Sequence, residues 1–222
     1  ETEGEVDGVG AKQNAGADLN WRPDRHWNLG VGYGFERYSW TRADVDATNE
    51  NSGKVFVDYK PTSWLTQRTS WIISDRRYNN YDYRGNVGTF QWPDPLCQVT
   101  ATPCGPQYNT AMRQFYLDNR LRQIGKYSLA IDLQPGFTVT PTFGYQEDNY
   151  SISSTEVGLV RSQVIKSGVE LAYVFNPWTT FLVSYMNEQY RQNFKYATGS
   201  GALTATNVFH ADVRDNVNTL MG

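Results

Sequence analysis

Apolar and polar side chains alternate along much of the chain with a period of two residues. In residues 113–133 the odd-numbered positions are mostly apolar or aromatic, whereas the even-numbered positions are mostly polar or charged. Residues 27–35 and 169–175 show the same alternation, again with the apolar set on odd positions. Such a period places the two sets on opposite faces of a β-sheet. Because the alternation in residues 113–133 outlasts an ordinary strand of roughly 3–10 residues, it favours a tilted strand of a transmembrane β-barrel.

Short and long connections alternate between the predicted strands. Four segments place a proline close to aromatic or apolar residues, and each predicts a tight turn because proline ends a β-ladder. These turns are centred on Pro23, Pro61, Pro135 and Pro177. Longer polar stretches lie between them, at residues 39–52, 79–110, 147–162 and 192–206. Short turns at one rim and long loops at the other are typical of outer-membrane barrels.

The pattern predicts nine strands in an all-β, antiparallel transmembrane β-barrel. They are centred on residues 16–21, 27–37, 54–59, 65–75, 113–133, 137–145, 164–175, 179–190 and 207–217. Single-chain bacterial barrels have even strand numbers, so we expect residues 1–222 to be a segment of one larger barrel domain. Residues 79–110 are expected to form its long loop on the extracellular side.

Composition agrees with this interpretation once the two faces are separated. Hydrophobic residues make up 39% of the chain and the mean hydropathy is −0.60, yet aromatic residues reach 14%. A disordered chain is usually poor in aromatics, and no run of about 18 apolar residues predicts a transmembrane helix. The 20 basic and 23 acidic residues leave a net charge of −3, which is no electrostatic footprint for nucleic acid.

Two sets of side chains are candidates for function. The polar positions of the predicted strands are expected to face the lumen, where they contact an enclosed partner or coat a water-filled pore; they are Asn20, Glu36, Asp118, Arg120, Arg122, Lys126, Asp132, Gln146 and Glu170. Aromatic residues beside the short turns are expected to form an interfacial girdle. That girdle comprises Trp21, Trp27, Tyr59, Trp64, Phe137, Phe175 and Trp178.

An ordered series of segments resembles a known family. WNLGVGYGFERYSW at residues 27–40, VFVDYKPTSWLTQRTSW at 55–71 and MRQFYLDNRLR at 112–122 are similar to the MtrB/PioB outer-membrane β-barrels. The resemblance runs from about residue 19 to residue 190. It implies a large barrel in the outer membrane of a Gram-negative bacterium, which sheathes a multihaem c-type cytochrome and supports electron transfer across that membrane.

The resemblance also implies that the chain binds no cofactor itself, because the haem belongs to the partner cytochrome. A barrel must in addition contact outer-membrane lipid and lipopolysaccharide. The alternative from the same periodic features is a diffusion porin or uptake barrel for small solutes. A soluble β-sandwich does not account for the long alternation or the loop lengths.

The two cysteines, Cys97 and Cys104, lie within the longest loop with six residues between them. No C-x-x-C-H haem-attachment motif is present, and His26 and His210 are distant in sequence, which argues against a zinc site. In an oxidising envelope, two cysteines in one surface loop favour a disulfide. We therefore expect no metal site, with His26 as a rim residue in a short turn.

No cluster of catalytic residue types emerges, and we expect the protein not to be an enzyme. The neighbouring carboxylates Glu147 and Asp148 are read as solvated loop residues, with a surface calcium ion as the alternative. Arg76 and Arg77 follow a predicted strand. At the membrane border this pair is a candidate for contact with lipopolysaccharide phosphates.

Overall fold

The computed structural model describes residues 9–40, 45–81, 113, 115–154, 156–197 and 208–222. These residues form nine strands: β1 Val9–Trp21, β2 Trp27–Trp40, β3 Val45–Thr62, β4 Leu65–Tyr81, β5 Arg120–Gln134, β6 Phe137–Tyr150, β7 Gly158–Asn176, β8 Thr179–Ala197 and β9 Val208–Met221. Within these ranges there is no helix of the length and apolarity that a membrane crossing requires.

All nine strands lie in one sheet in chain order, and every neighbouring pair is antiparallel. This meander confirms the predicted all-β class and the nine predicted strands. Among the described residues β1 and β9 do not contact each other, so the sheet is open. Each of these two strands therefore carries one edge whose backbone groups have no neighbouring strand.

Two of the four stretches predicted as long loops, residues 39–52 and 147–162, are more than half strand, and the other two begin in strand. β2 ends at Trp40 and β3 begins at Val45, so ten of the fourteen residues 39–52 lie in strands. β6 continues to Tyr150, β8 continues to Ala197, and β4 takes the first three residues of the loop predicted at 79–110. The alternation fades here because both faces become polar, although the ladder persists, as in the pairing of Thr48 with Tyr78.

The strand predicted over residues 113–133 is shorter than expected. β5 begins at Arg120, and residues 115–118 form a turn. Arg76 holds this turn, because its Nε donates to the Asp118 carbonyl at 2.9 Å and its guanidinium NH2 donates to the Phe115 carbonyl at 2.6 Å. Leu117 is fully buried within the turn. The alternation of apolar and polar residues continues into this segment by chance, because tertiary contacts bend the segment away from the sheet.

Register divides the sheet into an apolar face and a polar face. From β1 to β8 odd-numbered residues pair mostly with odd-numbered residues, and they form the apolar face. One row across this face runs Val31, Val55, Trp71, Gly125, Tyr145, Ile165 and Gln189. Even-numbered residues form the polar face, and in β9 the parity is reversed, with Leu220 opposite Tyr185.

The apolar band crosses the register rows obliquely. In β2 it extends from Trp27 to Phe35 with its centre at Val31, and register carries this row to Gln189 in β8. The band of β8, however, is centred on Val183, six residues from Gln189 over six strand steps. One residue of about 3.3 Å per strand spacing of about 4.8 Å corresponds to a strand tilt of about 35°. Strands in membrane barrels tilt by about 35–45°.

Three glycines of β2 lie on the polar face, where side chains of the adjacent strands fill their space. A Cβ atom at Gly30 would overlap the Phe56 ring, and one at Gly32 would overlap the Asp18 carboxylate. Their sequence pattern indicates either a crowded lumen or a closely approaching partner. In the structure the crowding comes from side chains of the neighbouring strands, and the Phe56 ring covers Gly30.

Candidate functional site

The polar face of the sheet is concave. An open groove of about 610 Å³ is lined by residues of six consecutive strands, β3 to β8, and most of its lining side chains belong to the polar face. A second groove of about 490 Å³ is lined in the same way from β1 to β5. A groove that spans six strands on one face indicates that the sheet curves toward its polar side. The concave polar face is therefore the candidate functional surface.

Register brings eight of the nine predicted polar residues onto this face: Asn20, Glu36, Arg120, Arg122, Lys126, Asp132, Gln146 and Glu170. Asp118 is the exception, because it lies in the turn before β5 and is 1% exposed. Within the strands, the parity of each residue was sufficient to place it.

The end of the polar face nearest the long connections carries an ion-pair cluster. Arg120 NH2 lies 2.9 Å from both carboxylate oxygens of Glu50. Arg122 makes a two-pronged contact with Asp148, with Nε at 2.5 Å and NH2 at 3.0 Å. Forked contacts of this kind are strong and directional. The cluster links β3, β5 and β6 and neutralises the charges of this part of the face.

Arg76 and Arg77 lie on opposite faces of β4. Arg76 is buried at 9% exposure and holds the turn before β5, which overturns its assignment to lipopolysaccharide. Arg77 lies on the apolar side beyond the apolar band, exposed, with its Nε 3.0 Å from an Asp75 carboxylate oxygen. Consecutive strand residues cannot share one phosphate because they point to opposite faces.

The carboxyl group of Asp118 is buried in the turn that precedes β5. Burial raises its pKa to about 6 from an ordinary value near 3.8, while the Asn119 amide and Arg113 oppose that rise. Asn119 N donates to Asp118 Oδ1 at 2.7 Å, and the second oxygen accepts no hydrogen bond from the described part of the chain. Nearby, Arg113 forms an ion pair with Glu156.

The middle of the polar face is positively charged. Lys54, Arg68, Lys126 and Lys166 line one groove, in which Asp58 is the only carboxylate among the described lining residues. We call the groove that these four side chains line the basic groove. Lys166 pairs with Glu188, and Arg68 lies 3.8 Å from Asp58. Only Lys126 of the four was predicted from the sequence, although even parity in β3, β4 and β7 identifies the others.

The predicted girdle residues gather at the rim of the short turns. Trp21, Trp27, Tyr59 and Phe137 lie on the apolar face. Trp27 and Tyr59 stack with ring centroids 4.0 Å apart. The remaining three, Trp64, Phe175 and Trp178, are exposed in or beside the turns.

His26 occupies the short turn between β1 and β2, as expected. Its Nδ1 lies 2.7 Å from the Lys60 carbonyl oxygen and so links this turn to β3. His210 lies in β9, opposite Lys195.

Glu147 and Asp148 are strand residues on opposite faces, with Glu147 paired to Arg161 at 2.8 Å and Asp148 to Arg122. They therefore do not form a shared cation site. Across the described ranges no group of three His, Cys, Asp or Glu side chains is placed to hold a metal ion. Cys97 and Cys104, and the loop from residue 82 onward, lie outside the described residues.

The family described as outer membrane beta-barrel porin, MtrB/PioB, matches residues 10–221 of the chain. The match therefore covers all nine strands. No curated protein matches the sequence at a significant level.

Proposed function

Because the chain belongs to the MtrB/PioB family of outer-membrane β-barrel porins, we propose that its nine strands form part of the wall of a barrel that encloses a multihaem c-type cytochrome. In this role the protein supports electron transfer across the outer membrane of a Gram-negative bacterium. The concave polar face is the lumen, and the apolar face contacts lipid. A porin family indicates a channel or structural role rather than an enzyme.

The observation that carries the proposal is the concave polar face itself. Its grooves are open, and charged and polar side chains line them together with apolar ones such as Phe56 and Ile124. A cytochrome has a polar surface that hydrocarbon rejects, so a polar wall on one side and an apolar band on the other would separate the two. The wall would hold the haem protein in place and exclude lipid, while the haem groups of that partner carry the electrons.

The open edges of β1 and β9 support a wall of more strands than these nine. Unpaired strand edges are not stable in hydrocarbon, where no water satisfies the backbone groups. In the membrane both edges must therefore be paired, and because β1 and β9 run in the same direction, antiparallel pairing like that in the rest of the sheet requires further strands. A wider barrel also provides the lumen that a folded protein needs, because barrel diameter grows with strand number.

Purification of the full-length protein from its native membrane in mild detergent tests the enclosure. We expect a haem protein to co-purify in a constant ratio, detected as a Soret absorption band in the size-exclusion peak. The reconstituted complex should pass electrons from a reductant outside liposomes to an oxidant trapped inside. A haem-free preparation from cells that express multihaem cytochromes would contradict the proposal.

The second candidate is a diffusion porin for small solutes. The open grooves on the concave face favour it, since charged and polar side chains form part of the lining of each groove. Liposome swelling discriminates between the two functions. Haem-free protein that passes small sugars or ions at porin rates would favour the solute pathway.

Contact with lipid and lipopolysaccharide follows for the apolar side of the wall. Arg77 is exposed on that side, beyond the apolar band, where lipopolysaccharide phosphates lie. Its partner Asp75 already offsets part of its charge. We expect Arg77→Ala to weaken lipopolysaccharide retention in detergent, and an unchanged amount of bound lipopolysaccharide would contradict this contact.

A further inference from the structure

The basic groove carries more positive charge than the wall itself balances. Lys166 and Arg68 each have a carboxylate neighbour, whereas Lys54 and Lys126 form no ion pair with any described residue. Lys54 instead lies 5.3 Å from the Phe56 ring centroid. Clustered like charges repel one another and attract mobile anions into a cleft. The groove is thus prepared for negative charge supplied from the lumen.

The arrangement of small side chains makes this charge accessible. One row of the polar face runs Phe56, Ser70, Lys126, Gly144 and Lys166. Gly144 separates the two lysines with no side chain of its own, so their stems stand about 10 Å apart at their bases across two strand spacings. An acidic side chain that enters from the lumen meets the Lys126 ammonium group and, beyond the bare backbone of Gly144, that of Lys166, which also contacts Glu188.

The ion-pair cluster near the long connections provides the contrast within one face. There Arg120 is balanced by Glu50 and Arg122 by Asp148, with all four groups largely buried. Those charges are neutralised by ion pairs within the wall, and these ion pairs stabilise its shape. The lysines of the basic groove remain half-exposed or exposed on long flexible stems, which suits contact with a separate molecule.

We propose that the basic groove is the docking surface for a cluster of acidic side chains on the protein enclosed by the barrel. This inference rests on the proposed function. The groove crosses six strands, roughly 24 Å of wall, a size that matches a patch of protein surface rather than one small anion. Because the four positive side chains are separate, they suit contact with several carboxylates rather than with a single one.

Salt titration of the detergent-purified complex tests the proposal. The double variant Lys54→Gln/Lys126→Gln removes the two unpaired cations. The matched control Lys12→Gln/Lys60→Gln removes two positive charges elsewhere, one beside Glu36 on the polar face and one at the short-turn rim. The measured quantity is the NaCl concentration at which half of the haem protein is released. Heat-modifiable electrophoretic mobility verifies that each variant retains its strands.

We expect the double variant to release the haem protein at half the NaCl concentration of wild type or less, and the control to match wild type. Lys126→Glu should weaken retention further, because it places a carboxylate opposite the acidic patch. Equal release midpoints for the double variant and the control overturn the docking surface and leave the enclosure intact. A wild type without a Soret band overturns the enclosure as well. In that case, anion-selective conductance that the double variant loses would assign the groove to small anions.

Discussion

At the scale of single residues, the polar face contains two kinds of charge. Arg120 and Arg122 are bound by carboxylates and withdrawn from solvent, whereas Lys54 and Lys126 have no described carboxylate partner. The effect of a substitution on stability depends on burial. Deleting one partner of a buried ion pair destabilises a protein much more than deleting one partner of an exposed pair. Substitutions in the two regions should therefore affect different properties, stability in one and partner binding in the other.

The buried pair of Arg120 and Glu50 should contribute to the stability of the wall. Arg120→Met leaves the Glu50 carboxylate without its forked partner, and we expect the free energy of unfolding to fall by about 3 kcal/mol. Arg68→Met is the control, because that side chain is 70% exposed and 3.8 Å from Asp58; it should cost less than about 1 kcal/mol. Urea unfolding in detergent, followed by tryptophan fluorescence, measures both. Equal losses would contradict a special role for the cluster.

Asp118 should make the turn before β5 sensitive to pH. Its pKa is about 6 in the folded protein and near 3.8 when unfolded, so the folded state binds the extra proton between these values. The turn is therefore most stable below about pH 4, loses stability as the pH rises to about 6, and is constant above that. Hydrogen exchange of residues 115–119, corrected for the intrinsic pH dependence, should report opening that increases roughly 10- to 100-fold over this range.

The Asp118→Asn variant provides the control for that pH dependence. Its side chain is similar in size and does not titrate, so the turn should open to the same extent at pH 4 and pH 7. A variant that retains the wild-type pH dependence would assign the titration to another group, and Glu156 is a described carboxylate whose charge acts on Asp118.

At the scale of elements, strands β2 and β3 fit together because a large side chain of β3 lies over a glycine of β2. The Phe56 ring occupies the space of the absent Gly30 side chain, and on the apolar face Trp71 covers Gly125 in the same manner. In such pairs the large side chain fills the space above the glycine, and the strand order and register stay unchanged. The three glycines of β2 therefore serve contact between strands, which their alternation in sequence did not distinguish from contact with a partner.

Substitution of Gly30 should disturb this contact between β2 and β3. Gly30→Ala forces the Phe56 ring to move, and overpacking of this kind costs about 1–3 kcal/mol. Gly53→Ala is the matched control on β3, because nothing lies within 4 Å of a Cβ atom there. That control should be neutral or slightly stabilising, since alanine restricts the unfolded chain. Thermal melting of heat-modifiable mobility compares them, and equal melting temperatures would show that the ring accommodates the methyl group freely.

At the scale of the whole molecule, the register and the apolar band together define a tilted wall. The band shifts by about one residue per strand from β2 to β8, which a flat, upright sheet would not require. Tilt and curvature occur together in closed barrels. The grooves on the concave side and the open edges of β1 and β9 are consistent with an arc of such a wall.

This geometry predicts the strand orientation in a membrane. In oriented bilayers, polarised infrared spectroscopy of the amide I band should give a mean strand tilt of about 35° from the membrane normal. The apolar band would then lie level with the hydrocarbon core along every strand. A mean tilt below about 20° would mean that the band does not follow the bilayer, and the assignment of the apolar face to lipid would fail.

The sequence by itself determined the strands and their two faces, because alternation is a local property of neighbouring residues. It was sufficient for nine strands, for the short turns and for the side on which Asn20, Lys126 and Glu170 lie. It misplaced the start of β5 and read polar strand ends as loops, since alternation vanishes where both faces are wet. Only the tertiary structure joined Glu50 to Arg120, 70 positions apart, and gathered Lys54, Arg68, Lys126 and Lys166 into one groove. The physical reason is register: which residues meet across a sheet depends on how distant strands align, and a period of two carries no record of that alignment.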